Sequence, residues 1–109
     1  MTTYAELTQT TLNELAGTMA SVDPEAVDAL GDLILNAKRV FLAGKGRSGL
    51  QMRAFAMRLM HMGLTAHVVD DVTTPAITAG DLLLLGSGSG RTPSIVNYAQ
   101  KAQAVGASV

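Results

Sequence analysis

Two short stretches hold the residues of this chain best suited to chemistry. They are Gly44-Lys45-Gly46-Arg47-Ser48-Gly49 and Ser87-Gly88-Ser89-Gly90-Arg91-Thr92. Each follows an apolar run, Val40 to Ala43 or Leu82 to Leu85, and each precedes a segment of helical periodicity. A strand, a glycine-rich turn and a helix start together form a holder for phosphate. The glycines let backbone N–H groups approach the anion, and the helix end adds partial positive charge. The first stretch offers backbone N–H groups around Gly46, the Ser48 hydroxyl, and Arg47 as a bidentate clamp. The second offers the hydroxyls of Ser87, Ser89 and Thr92. Hydroxyls and amides without the lysine of a P-loop suit a compact phosphate monoester and argue against an NTPase. An ordinary strand-to-helix turn asks for similar glycines, so the first stretch alone does not decide the matter.

His61 is the titratable residue to weigh next. It lies about twelve residues past the first glycine turn, roughly 18 Å along a helix at 1.5 Å per residue. A small phosphate ester held at the turn cannot span that distance, so His61 either serves a neighbouring subunit or packs as a helix-end histidine among methionines. His67, inside a strand, reads as structural. Asp70 and Asp71 close a strand and are acid–base candidates by position only.

The totals exclude several functions. The 109 residues are 48% hydrophobic and 16% charged, which fits one packed domain spanning 1–109. A net charge of −1, 4% aromatics and no Trp give neither a duplex-binding footprint nor a stacking platform, so no nucleic-acid partner is expected. The absence of Cys rules out disulfides and thiolate chemistry, and is compatible with a cytoplasmic location. No apolar run approaches membrane-spanning length, so no membrane partner is expected.

Periodicity and punctuation mark the elements that must position the two loops. Leu7, Leu15 and Met19 recur at helical spacing between about Thr3 and Ala20, although Gly17 weakens that helix. Asp23, Pro24 and Glu25 then mark a second helix start, with Val27, Leu30, Ile34 and Ala37 on one face. These two helices occupy residues 1–37 and read as packing or subunit-contact elements; the α/β core occupies 38–109. A strand over Arg39–Ala43 feeds the first loop. A helix from about Arg47 to Met62 follows, with Gly63 as its C-terminal stop. That helix is apolar most of the way round, so it is buried on two sides, for example between a sheet and a neighbouring subunit. Met52, Met57, Met60 and Met62 fit either an adaptable core or an interface, with core the default. Leu64 to Val69 is a second strand, Thr74 to Ile77 a short helical turn, and Leu82 to Leu85 a central parallel strand. A helix over about Pro93–Val105 precedes Ala107-Ser108-Val109, which reads as the opening of a fourth strand. A chain that stops inside an element is expected to be truncated. Alternating strands and helices imply a parallel sheet with helices on both faces.

The second stretch matches the S-x-S-G-x-T phosphate loop of the sugar isomerase (SIS) domain, and the first is similar to that domain's first loop. Residues Arg53 to Gly63 and Thr74-Pro75-Ala76-Ile77 further resemble the 6-phospho-3-hexuloisomerase family within it. The resemblance runs from about Arg39 to Val109, and more loosely over the two N-terminal helices. It implies an SIS-type α/β fold of flavodoxin-like strand order. It also implies isomerisation of 3-hexulose 6-phosphate to fructose 6-phosphate in the ribulose monophosphate route of formaldehyde fixation, without cofactor or metal. A base would take the C2 proton to give an enediol, and an acid–base group would shuttle hydroxyl protons. By resemblance, Ser48, Ser87, Ser89 and Thr92 hold the phosphate, Arg47 lies near the sugar or phosphate, and His61 is the acid–base residue. The catalytic glutamate of comparable SIS isomerases falls beyond the fourth strand. Lys45 replaces a small residue and Arg91 a frequent Glu, and both add positive charge near the phosphate. A homo-oligomer, dimer or tetramer, with sites shared between subunits is expected.

Two other readings stand beside this one. Gly44, Gly46 and Gly49 satisfy G-x-G-x-x-G, with Asp70 where a ribose-binding acid belongs, as in a nicotinamide-binding Rossmann domain. Arg47 and Ser48 inside the fingerprint, and a second hydroxyl-rich loop, argue against it. A sugar-phosphate-sensing SIS module would keep both loops and dispense with the base.

Overall fold

The computed structural model describes residues 1–109. The chain divides into two compact units, Met1–Asp32 and Leu33–Val109.

The first unit holds α1 (Tyr4–Ala20) and the greater part of α2 (Pro24–Asn36). Thr3 caps α1 through a full capping box. Its hydroxyl accepts the Glu6 N–H, and the Glu6 carboxylate accepts the Thr3 N–H at 2.8 Å. This cap and the hydroxyl back-bonds of Thr8, Thr11 and Thr18 accompany a helix that runs through Gly17 unbroken. No residue of α1 is buried, and Leu7, Leu12, Leu15 and Met19 are all more than half exposed. Asp23 opens α2 as expected, its carboxylate accepting the Glu25 N–H.

The second unit is a three-stranded parallel sheet of order β2-β1-β3, where β1 is Val40–Gly44, β2 is Ala66–Val68 and β3 is Leu82–Gly86. The helix α3 (Gly46–His61) joins β1 to β2, and α4 (Pro93–Ala104) follows β3. Because side chains alternate along a strand, β1 feeds two cores. Val40 and Leu42 pack with Leu82 against Ala56 and Leu59 of α3 and Ile34 of α2. Phe41 packs with Leu83 against Ala102 of α4 and Ala107. Helices thus cover both faces, which is why β1 reads as an unbroken apolar run. Ser108 bridges Leu82 in parallel, and its carbonyl accepts the Leu83 N–H at 2.8 Å, so residues 107–109 extend the sheet beside β3. No helix is long and apolar enough to cross a membrane.

Within α2, Ile34 is buried, whereas Val27 and Leu30 are exposed. Two expectations change. Of the α3 methionines only Met52 packs against the core. Leu50, Met57, Met60 and Met62 are exposed, so α3 is buried on one side. Thr74–Ile77 is not a helical turn. The segment is tied to its surroundings instead: the Thr74 hydroxyl donates to the Val68 carbonyl, Arg39 donates to the Ala76 carbonyl, and the Asp81 carboxylate accepts the N–H of Thr78, the next residue on.

The N-terminal end of the sheet is locked by Arg39 and Asp81. Asp81 is 1% exposed, and Arg39 donates to both its oxygens, at 3.0 and 2.6 Å. The N–H and hydroxyl of Thr78 complete its shell. The Arg39 guanidinium first, and then the Thr78 donors, hold the Asp81 carboxyl below its ordinary value against the opposing cost of burial. Every buried polar side-chain atom of the chain has a hydrogen-bond partner.

Candidate functional site

The opposite, C-terminal end of the sheet carries both loops. In the β1–β3 register Gly44 faces Gly86, so the two turns leave adjacent strands side by side. This is where open α/β sheets bind ligands. The first turn depends on close backbone approach. A Cβ on Gly44 would lie 2.8 Å from the Gly49 nitrogen, and one on Gly49 would lie 2.6 Å from the Gly44 carbonyl oxygen. Glycine at both positions lets the first turn of α3 fold back onto the end of β1. Gly46 takes φ +54°. Lys45 occupies the N-cap without a side-chain cap bond, so the N–H groups of Gly46, Arg47 and Ser48 have no intrahelical partner.

Ser48 reaches toward the second loop, its Cβ lying 3.8 Å from where a Cβ on Gly86 would stand. In that second loop the Ser87 and Thr92 hydroxyls meet at 3.1 Å, and Ser87 Oγ also accepts the Gly90 N–H at 3.0 Å. Ser89 Oγ accepts the Arg91 N–H at 3.1 Å. The loop is therefore shaped by its own hydroxyls. Thr92 starts α4 without a side-chain cap bond and Pro93 follows, leaving that helix end open to an anion as well.

Of the sequence-derived residues, the structure gathers Gly46, Ser48, Ser87 and Thr92 around one sheet end, with Arg47, Ser89 and Arg91 exposed on the same loops. His61 is not among them. It is the last residue of the 16-residue α3 and exposed, at the far end from the glycine turn. His67 lies in β2 with its ring 5.2 Å from that of Phe41, in line with a structural role. Asp71 pairs with Arg53 at 2.8 Å on the surface. No group of three or more His, Cys, Asp or Glu residues assembles in a way that could hold a metal ion.

Sequence reasoning missed one cluster at this end. Lys45 Nζ donates to the Tyr98 hydroxyl at 3.1 Å and stands 5.3 Å from the ring centroid. The Tyr98 hydroxyl in turn donates to Asp70. The bond to Tyr98 is the main reason the Lys45 ammonium is held above its ordinary value. The available signal was rarity: Tyr98 is one of only two tyrosines and lies on the helix that follows the second loop. A 220 Å³ cavity opens here, lined by Gly44, Lys45, Gly46, Arg53, Asp70 and Tyr98. A larger one of 510 Å³ lies over Phe41, Ile77 and Leu83 and shares Val69, Asp70 and Tyr98 with the first.

Comparison with known proteins places this geometry. Residues 33–109 match the SIS domain family. Over 97 residues the chain is 57% identical to a 3-hexulose-6-phosphate isomerase of Mycobacterium gastri, covering 89% of this chain and 49% of that protein. Over 94 residues it is 49% identical to a 3-hexulose-6-phosphate isomerase of Bacillus subtilis strain 168, covering 86% and 51%. A crystal structure of a hypothetical protein superposes with a TM-score of 0.86 at 41% identity, over 91% of this chain and 53% of the other. The chain spans about half the length of the curated relatives it matches.

Proposed function

The chain belongs to the SIS domain family, and we propose from that membership that it carries the phosphate-binding part of a 6-phospho-3-hexuloisomerase. The reaction is the interconversion of 3-hexulose 6-phosphate and fructose 6-phosphate, with sugar phosphate as substrate and neither cofactor nor metal. The observation that carries the reading is the pairing of Gly44 with Gly86, which sets two open helix starts and the hydroxyls of Ser48, Ser87 and Thr92 at one sheet end. Such a site anchors the phosphate and leaves the carbon chain to lie across the adjacent cavity. Ser89 and Arg47 join the phosphate shell once an anion is present. Proton transfer through an enediol moves the carbonyl from C3 to C2, and His61 serves as the acid–base group in a neighbouring subunit's site. This requires a homo-oligomer, and the exposed apolar side of α3 (Leu50, Met57, Met60) supplies a surface for it.

The test is calorimetric titration with fructose 6-phosphate, with NAD as the control for a Rossmann-type site. Binding of fructose 6-phosphate alone, weakened about tenfold or more in Ser87→Ala, is the expected outcome for a lost hydrogen bond to a charged group. Binding of NAD alone would sink the proposal. Binding of the sugar phosphate without turnover by the full-length protein would favour the sensing module.

A further inference from the structure

The Lys45–Tyr98–Asp70 cluster stands beside the hydroxyls of the second loop rather than among them, and fold stability does not account for it. Its three side chains come from three elements: the turn after β1, the residues just past β2, and the second turn of α4. Lys45 and Asp70 are exposed and Tyr98 is half-buried. Contacts of this kind contribute little to folding. Asp70 holds φ +70°, the one positive φ outside glycine in the chain, a conformation that Asp adopts more readily than most L residues, and it lines the cavity rim.

The neighbourhood says which kind. The 220 Å³ cavity is continuous with the first loop, since Gly44, Lys45, Gly46 and Gly49 line it, and Tyr98 and Asp70 form its other wall. A phosphate monoester seated at that loop directs its carbon chain into this space. The wall presents an ammonium and a phenol. Lys45, held charged by its bond to Tyr98, keeps further N–H groups to donate and is not a base at neutral pH. The Lys45 ammonium offers donors and the Tyr98 oxygen, whose proton goes to Asp70, offers an acceptor, a pair that suits a chain of hydroxyl and carbonyl oxygens.

We propose that Lys45 and Tyr98, oriented by Asp70, form the wall that recognises the oxygen-bearing carbon chain of the sugar phosphate and separates it from simple phosphates. The assignment rests on the sugar-phosphate reading above and deepens it. It is tested by titrating wild type, Tyr98→Phe and Lys45→Met with fructose 6-phosphate and with inorganic phosphate. The readout is the ratio of the two affinities, which a purely structural role would leave unmoved. In Tyr98→Phe, fructose 6-phosphate affinity should fall about tenfold while inorganic phosphate stays within about twofold. In Lys45→Met both affinities fall, the sugar phosphate by more. An unchanged ratio in both variants, in a protein that binds both ligands, overturns this assignment alone. A wild type that binds neither overturns the sugar-phosphate reading, and this assignment with it.

Discussion

The two ends of the sheet are built from the same three kinds of group and use them in opposite ways. At the N-terminal end, Arg39, Asp81 and Thr78 bring a cation, a carboxylate and a hydroxyl together around a buried aspartate with both oxygens engaged. At the C-terminal end, Lys45, Asp70 and Tyr98 bring the same set together in solvent, at the rim of a cavity. A buried, bidentate guanidinium–carboxylate pair fixes geometry, and losing one partner leaves an uncompensated charge. An exposed ammonium–phenol–carboxylate chain costs little to break and can trade its partners for a ligand's. Stability is thus concentrated at one end of the strands and adaptable polar chemistry at the other.

The largest expected effect breaks the stable end. Asp81→Asn removes the charge that Arg39 faces while keeping the side chain's shape. The melting temperature should fall by about 10 °C, measured by circular dichroism. A loss of only a degree or two would show that the N-terminal cluster does not anchor the sheet.

Acid should erase the same contribution in wild type. The folded value of Asp81 lies below its unfolded one. Its stabilisation is therefore complete above the unfolded value near pH 4 and is lost as pH falls through the depressed folded value. The gap in melting temperature between wild type and Asp81→Asn should be constant at neutral pH and narrow below about pH 4. A gap that persisted unchanged well below that point would rule out the carboxylate as its source.

A smaller effect is expected within the adaptable end. At Gly46 a Cβ meets nothing within 4 Å, yet φ is +54°. Gly46→Ala therefore carries only a backbone cost of about 1 kcal/mol, or roughly 5 °C in melting temperature. Gly49→Ala, which forces a Cβ against the Gly44 carbonyl, should cost more. Equal losses would mean that close approach is not what the first turn requires.

How much of this was legible beforehand follows the range of the interaction. The strand–turn–helix order, both loops and the parallel sheet were readable because apolar runs and glycine punctuation are local signals. Asp23 and Pro24 announced α2, and residues 107–109 announced their own pairing. Thr74–Ile77 misled because Pro75 suggests a helix start, whereas Arg39, distant in sequence, takes up the Ala76 carbonyl. The α3 methionines misled because periodicity reports how apolar a face is and not what covers it. Tyr98 went unnoticed since its hydroxyl gains meaning only when β1, β2 and α4 converge. A contact spanning 53 residues, like that of Lys45 with Tyr98, leaves no trace in spacing.

The smallest effect is expected at Asp70, and it sharpens the contrast most. Asn at this position has nearly the same shape, tolerates the left-handed backbone as Asp does, and still accepts the Tyr98 hydroxyl through its amide oxygen. What Asp70→Asn removes is a single exposed charge. It should shift the melting temperature by no more than about 2 °C, against the far larger loss for the same exchange at Asp81. Because the hydrogen bond that orients Tyr98 is kept, the sugar-to-phosphate affinity ratio should stay within about twofold of wild type. If Asp70→Asn instead melted as early as Asp81→Asn, both clusters would be anchors, and the division of the sheet into a stable end and an adaptable one would fail.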